Sequence, residues 1–252
     1  MFKFTLKKKS AGTRGRIGEF ETAHGRVKTP VFMPVGTQGT VKATTPEELV
    51  RAGASIVLAN TYHLYLRPGH ERVKRLGGLH RFMHWEKPIL TDSGGYQIFS
   101  LADLRRKFTD EGVTFQSHLD GGEKHLLTPE LAIEIQEALG SDIMMVLDEC
   151  TPWPSGEEAA RSSMELSLRW ALRCLAARKS ENALFGIVQG GMYPHLRREY
   201  IGRLLEIRAD GKVRSFDGHA IGGLSVGEPI PLMYEIAGAC TEILPEDSPR
   251  YL

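Results

Sequence analysis

What most limits the folds open to this chain is a recurrence of short apolar runs, each ending on a polar residue or a glycine pair. Six are evident: TPVFMPVG (29–36), SIVLAN (55–60), KPILTD (87–92), SDIMMVLDE (141–149), ALFGIVQG (183–190) and GHAIGGLSV (218–226). Several are apolar at successive rather than alternate residues, the pattern of strands covered on both faces of a parallel sheet. The helices between them carry their own punctuation. In TTPEELVRAG, Thr45 caps, Pro46 suits the first turn, Glu48 completes a capping box and Gly53 ends the helix. In LTPELAIEIQEALGSD, Thr128 and Pro129 repeat that start, Leu131, Ala132, Ile135, Ala138 and Leu139 form one apolar face, and Gly140 stops it. A third helix, from Glu157 to Lys179, directs Ala160, Met164, Leu168, Ala171, Leu172 and Leu175 to a core.

Strand, loop and helix in alternation define an α/β protein, either doubly wound or a barrel. Two features favour an irregular (β/α)8 TIM-barrel type. Polar residues gather at the carboxyl ends of the runs, as Asn60, Asp92, Asp148 with Glu149, Gln189 and Glu228, the end at which barrel enzymes build their sites. No glycine-rich phosphate loop opens a first helix, as a dinucleotide fold requires. Six core strands are expected, and the final SPRYL reads as the opening of a seventh. Residues 1–252 are therefore expected to form one partial TIM-barrel domain, incomplete at the carboxyl terminus, with 62–86 and 100–127 as loops.

Composition narrows the partners. With 41% hydrophobic and 25% charged residues and a net charge of +1, the chain is globular, and bulk charge cannot carry nucleic-acid binding. An RNA partner must meet a local patch. The cluster Lys7, Lys8, Lys9, Arg14 and Arg16 is open between a phosphate-contacting arm and a solvated surface. Cys150, Cys174 and Cys240 are odd in number, dispersed and without zinc-ligand spacing, which points to a reducing compartment. No apolar run approaches the roughly 18 residues of a membrane span, and no secretory signal opens the chain; a cytoplasmic location is expected.

The strand ends carry the chemistry. Asp92 is followed by Ser93, Gly94 and Gly95, so a planar ligand can lie against bare backbone beside a carboxylate, although an Asp-Ser-Gly-Gly is equally a turn. Asp148 leaves a dry strand, where its two acceptor oxygens match adjacent N–H donors; a salt bridge or cap is the alternative. Gln189 can donate and accept, Gly223 and Leu224 offer main-chain groups, and Tyr96 can stack or pack. His63, His84, His118, His125 and His219 have no metal-ligand spacing and are expected to be structural. A retaining glycosidase built on Asp92 and Asp148 is disfavoured, since their neighbours are glycines and a glutamine.

Taken together, TPVFMPVGTQGTVKATTPEEL, LANTYHLYLRPG, TDSGGYQIFSL, EGVTFQSHLDGG, SDIMMVLDECTP, FGIVQGG and IGGLSVGEP resemble tRNA-guanine transglycosylase, the queuine tRNA-ribosyltransferase family, in its bacterial form. The resemblance implies exchange of guanine at the wobble position of GUN-anticodon tRNAs for the 7-deazaguanine preQ1, in queuosine biosynthesis, by double displacement. It implies that Asp92 is the proton acceptor and also binds the incoming base, with Ser93, Gly94, Gly95 and Tyr96 as pocket wall and Tyr96 stacked on the base. Asp148 would recognise the guanine-type N–H edge, Gln189 and the Gly223 amide the exocyclic oxygen, and the Leu224 carbonyl the substituent. Asn60, Cys150 and Val226 would line the same pocket, the last two in the form that takes preQ1 rather than bulky queuine. In the family the nucleophilic aspartate and a Cys/Cys/Cys/His zinc site lie beyond the point where this sequence stops. No nucleophile or metal ligand is thus expected here, and zinc is expected only for the family. tRNA and guanine or preQ1 are the expected partners, together with a homodimer to which Phe82 and Trp85 contribute if they do not cover the core instead. The alternative is a non-catalytic homologue or subunit that binds the base or a partner without exchange.

Overall fold

The computed structural model describes residues 2–100, 107–117, 119, 121–209 and 215–252. The chain enters through an antiparallel sheet, β1 (Lys3–Lys9), β2 (Arg16–Thr22) and β3 (Gly25–Thr29) in the order β1-β2-β3. The first regular βα units follow as α1 (Pro46–Arg51), β4 (Val57–Ala59), α2 (Thr61–Leu66), α3 (His70–Arg75), α4 (Gly78–Met83), β5 (Ile89–Thr91) and α5 (Gly95–Ser100). A second antiparallel sheet, β6 (Lys107–Phe108), β7 (Val113–Gln116) and β8 (Lys124–Leu127), precedes α6 (Pro129–Leu139) and β9 (Ile143–Met145). The chain continues through α7 (Glu157–Ala177), β10 (Ala183–Val188), α8 (Pro194–Glu206), β11 (Gly218–Ile221), α9 (Ile230–Ile243) and β12 (Arg250–Tyr251).

Strands β4-β5-β9-β10-β11-β12 form one sheet in that order, and every pair is parallel. Since each connection passes through helix, the strands share a direction and their carboxyl ends share one edge. The sheet curls. A cavity of about 520 Å³ is lined by Val31 and Val35 outside β4, by Tyr251 and Leu252 at β12, and by Ile56, Leu58, Leu90, Ile143 and Phe185 between them. Two sheet edges facing one apolar lumen make this an open portion of a TIM-type barrel.

The expected helix grammar is present. Thr45 and Glu48 exchange both capping-box bonds, at 2.8 and 3.2 Å. The Thr128 hydroxyl accepts from Leu131 N–H at 3.1 Å, and Gly140 ends α6 in the left-handed region. In α7, Ala160, Met164, Leu168, Ala171 and Leu175 are buried, but Leu172 is 44% exposed; it lies one residue past Ala171 and so about 100° around the helix. Trp170 is also fully buried and donates to Asp110 O at 3.0 Å, tying α7 to the β6–β7 hairpin.

Other expectations are corrected. Thr29 closes β3 and residues 30–36 form no regular strand: Pro30 and Pro34 lack N–H donors, and a parallel bridge, Val35 with Leu58, occupies the place beside β4. The seventh strand does form, as β12 against β11. Segments 62–86 and 107–127 are not plain loops but α2 to α4 and β6 to β8. Of the basic cluster, Lys7, Lys8 and Lys9 lie in β1, Arg14 in the bend that follows and Arg16 at the start of β2. Lys7 pairs with Glu19 at 3.9 Å, Lys9 with Glu246 and Arg14 with Glu242, while Arg16 donates to Ser248 O at 3.1 Å. Trp85 is buried and donates to Pro88 O at 3.1 Å, so it covers core, whereas Phe82 is partly exposed. His125 bonds Tyr65 at 3.1 Å and stacks on Phe115; His219 is buried against Ser248 at 3.0 Å, with its pKa pulled down to about 4 by desolvation. His118 lies outside the described residues.

The amino ends of the strands hold a cluster that the motifs did not announce. Asp142, just before β9, meets His24 Nδ1 at 2.8 Å and His80 Nε2 at 3.1 Å and accepts from Ile89 N–H at 2.9 Å. It joins the β2–β3 turn, α4 and the parallel sheet. Burial pushes its carboxyl up, but the bonds from His80, His24 and Ile89 outweigh this and hold it below the usual range. A depressed carboxylate stabilises the fold above its unfolded pKa, and that contribution disappears as pH falls through the lower folded value. Asp142→Ala is expected to cost about 2–4 kcal/mol at pH 7, from the partners left unmet in a buried site, and progressively less as acid protonates the carboxyl. Thermal melts of both proteins across pH check this; a pH-independent gap is the contrary result.

Candidate active site

At the opposite end of the sheet the expected residues come together. Asn60 follows β4, Asp92 follows β5, Asp148 lies three residues past β9, Gln189 follows β10, and Gly222 and Gly223 follow β11. All five strand ends face the same way because the sheet is parallel. Asn60, Ser93, Asp148 and Gln189 are buried polar side chains, which must find partners there or in a ligand.

Asp92 is fully engaged. Its Oδ1 accepts from Thr61 N–H at 2.9 Å and Gly94 N–H at 3.1 Å; its Oδ2 accepts from Gln97 Nε2 at 3.0 Å and from Asn60 Nδ2. The Thr61 hydroxyl also bonds Asp92 O at 2.5 Å. The bond to Gly94 is the turn that the local sequence allowed; the bonds to Asn60 and Thr61 join two strand ends. Burial raises the pKa of this carboxyl, against the pull of those four donors. Thr61 and Gln97 went unnoticed in the sequence, although Gln97 stands one helical turn into α5, within reach of a carboxylate just ahead of that helix.

Asp148 is the second buried acid. Its Oδ2 accepts from Gln189 Nε2 at 2.6 Å and its Oδ1 from Ser93 Oγ at 3.3 Å, so Ser93 links the Asp92 loop to β9. Burial drives its pKa up to about 6, with Asp92 adding repulsion and Gln189 and Ser93 opposing. Gln189 Oε1 is buried and has no partner among the described residues, and a Cβ on Gly223 would lie 2.6 Å from it. Gly223 has φ +62°, so bare backbone lies directly beside Gln189. Gly95 is required for a different reason: a Cβ there would lie 2.8 Å from Asp148 O.

The remaining expected residues are more peripheral. Tyr96 is 48% exposed with its ring 6.2 Å from Phe99. Leu224 packs partly against the core, and Val226 N–H and Ser225 N–H donate to Glu228 at 2.8 and 2.6 Å, which pins the turn after Gly223. Glu228 therefore acts on its own loop. Cys150, two residues past Asp148, is buried against Thr151 and lines a hollow with Phe99, Phe108 and Ser163. Glu149 N–H donates to Ser167 at 3.0 Å, and Ser163 donates to Glu149 O at 2.9 Å.

The three cysteines do not make a zinc site. Cys174 accepts from Leu147 N–H at 3.3 Å and is pushed up to about 12 by burial, Cys240 lies beside Arg197, and no cysteine joins a group of three close ligand atoms among the described residues. These residues do not fit the Cys/Cys/Cys/His set that the resemblance implies, and no chemistry is routed through zinc here. His24, His80 and Asp142 do bring two imidazoles to one carboxylate. Their ligand atoms lie within 4.8 Å of one another, and the two rings are stacked with centroids 3.5 Å apart at 16°.

Curled parallel strands, with two buried carboxylates, a glutamine and glycine backbone at their carboxyl ends, define the class: a barrel-type α/β protein with a cluster of polar groups at one end of its sheet. The profile of the family described as Queuine tRNA-ribosyltransferase matches residues 10–252, and the chain belongs to that family. It is 58% identical over 252 residues to the Queuine tRNA-ribosyltransferase of Thermoanaerobacter sp. (strain X514), and 57% identical to those of Caldanaerobacter subterraneus subsp. tengcongensis and Desulforudis audaxviator. These alignments take in 99% of this chain and 65% of each relative, so the chain spans about two thirds of their length. Among the described residues no helix is long and apolar enough to cross a membrane.

Proposed function

We propose that this chain carries the base-reading part of a bacterial-type tRNA-guanine transglycosylase, which replaces guanine at the wobble position of tRNA by preQ1. The observation that supports it most is the Asp148–Gln189 pair beside the Gly223 backbone, with Asp92 linked through Ser93. A guanine-type edge offers two adjacent N–H donors and one exocyclic oxygen. Ionised Asp148 meets the donors with two acceptors; Gln189 Nε2 and Gly223 N–H are suited to the oxygen. Asn60, Gly94, Gly95 and Tyr96 would form the walls, with Leu224, Cys150 and Val226 on the substituent side.

Asp92 would take the proton released as the incoming base is joined. To do so it must release one of its four N–H donors, and the side-chain amides of Asn60 and Gln97 can swing away where the two backbone amides cannot. Retained configuration at the glycosidic carbon also requires a carboxylate that holds the ribose between the two bases. The family resemblance assigns that group to an aspartate outside residues 1–252, as it does the zinc ligands. tRNA and a second copy of the chain are the proposed macromolecular partners. Saturation of Asp92 by donors favours a second reading, base binding without exchange.

Calorimetry with guanine and preQ1, paired with labelled-guanine incorporation into tRNA, tests both readings. Binding with incorporation supports exchange; binding alone supports the second reading; neither overturns the proposal. Asp148 must be ionised to accept two N–H groups, so affinity should be nearly flat from pH 7 to 8 and fall about tenfold between pH 7 and 5. Affinity unchanged down to pH 5 would remove Asp148 from the reading edge.

A further inference from the structure

The fourth residue of α8, Arg197, turns beneath the candidate site instead of out to water. Its side chain is fully buried, and no ion pair involves it among the described residues. The donors go to main chain: Nε to Gly191 O at 2.7 Å, Nη2 to Gly222 O at 2.9 Å and Gly223 O at 3.5 Å, and Nη1 to Val188 O at 3.4 Å, with Cys240 Sγ at 3.9 Å. One guanidinium therefore ties the end of β10, the Gly190–Gly191 turn and the Gly222–Gly223 turn into one unit. The glycines permit it, for a Cβ on Gly190 would lie 3.0 Å from both Arg197 N and Cγ.

A buried cation with no counter-ion is costly, and a neutral side chain could brace carbonyls more cheaply. The charge has a use in the peptide between Gly222 and Gly223. That peptide is trans, so its C=O and N–H point in opposite directions. With Gly222 O drawn onto Nη2, Gly223 N–H must face away from Arg197, and among the described residues no acceptor engages it. A charged donor on the carbonyl also polarises the amide and strengthens its N–H as a donor.

We propose that Arg197 is a positioning residue for base recognition: through the Gly222–Gly223 peptide it aims and polarises the N–H that meets the exocyclic oxygen of a guanine-type base. The buried charge then lies on the side of the site where a departing purine anion gathers negative charge. This rests on the base-reading function proposed above.

The test compares guanine with 6-thioguanine, which keeps the N–H edge but replaces the exocyclic oxygen by a poorer acceptor. Binding of both is measured by calorimetry on the 252-residue chain and on Arg197→Met and Arg197→Lys, with thermal melts alongside. Arg197→Met should weaken guanine at least tenfold and 6-thioguanine less than threefold. Arg197→Lys, which keeps the charge but lacks the planar fork, should fall between. An equal loss for both bases, or none for either, overturns the proposal and leaves Arg197 as a brace of the loops. If Arg197→Met fails to fold, the ratio of the two affinities in Arg197→Lys decides: a ratio like that of the unsubstituted chain overturns it. No binding of either base by the unsubstituted chain overturns the base-reading function instead.

Discussion

Asp148→Asn is expected to abolish measurable binding of guanine and preQ1, a loss of at least ~100-fold, and at the same time to raise the melting temperature at pH 8. The two effects have one origin. Asp148 is a buried carboxylate with a pKa of about 6 against an ordinary value of 3.8, so at pH 8 the folded protein carries a charge that water would solvate better. A folded pKa raised above the unfolded one favours the native state at low pH, and the advantage is lost as pH climbs from about 4 through 6. By about 1.4 kcal/mol per pKa unit, the native state gives up roughly 3 kcal/mol across that window. Asparagine removes the titration. Its amide can bond Gln189 Oε1, which has no partner among the described residues, once that side chain turns over, and a gain of about 1–3 kcal/mol corresponds to several degrees for a chain of this size.

Binding fails because an asparagine presents one acceptor and one donor where the base edge brings two donors. The lost charge-assisted hydrogen bond and the N–H group turned against another N–H together cost about 3–4 kcal/mol. Melting temperatures from pH 4 to 8, paired with calorimetry at pH 7.5, check both effects. The stability gain should disappear near pH 4. A variant that binds the base normally, or is destabilised at every pH, contradicts the role given to Asp148.

Gly95→Ala is expected to lower base affinity at least tenfold and to destabilise the fold by about 1–3 kcal/mol. The added methyl group would lie 2.8 Å from Asp148 O and 3.3 Å from Ser93 Oγ, so either the start of α5 or the end of β9 must withdraw. Withdrawal separates Ser93 from Asp148 and with it the Asp92 loop from the base-reading acid. Gly202→Ala is the control. A Cβ there meets nothing within 4 Å on an exposed turn of α8, and the exchange should be neutral or stabilising by about 0.5–1 kcal/mol. Equal affinities for Gly95→Ala and the parent chain would show that the two loops do not depend on that contact.

The division between what the chain announces and what folding adds follows the range of the interactions. Apolar runs ending in Asn60, Asp92, Asp148 and Gln189 were legible because a parallel strand repeats its burial at successive residues and then stops at a polar one. Thr45 with Glu48, and Thr128 with Gly140, were legible because a cap is satisfied within four residues. The three-residue strands were harder to bound, since 29–36 has the same apolar look yet its prolines reduce it to a bridge. Both antiparallel sheets were missed: KFTLKKK shows a run of lysines, and their acidic partners include Glu246 at the other end of the chain.

By itself the sequence determined the parallel α/β plan, the polar strand ends and, through its motifs, the queuine tRNA-ribosyltransferase family. Only the tertiary structure decided that Asp92 is held by four N–H donors, that Asp148 lies between Ser93 and Gln189, and that Arg197 binds two glycine turns from below. The same holds for Asp142, joined to His24 across 118 positions and to His80 across 62. The physical reason is that hydrogen bonding and desolvation act over a few ångströms of space and take no account of separation along the chain.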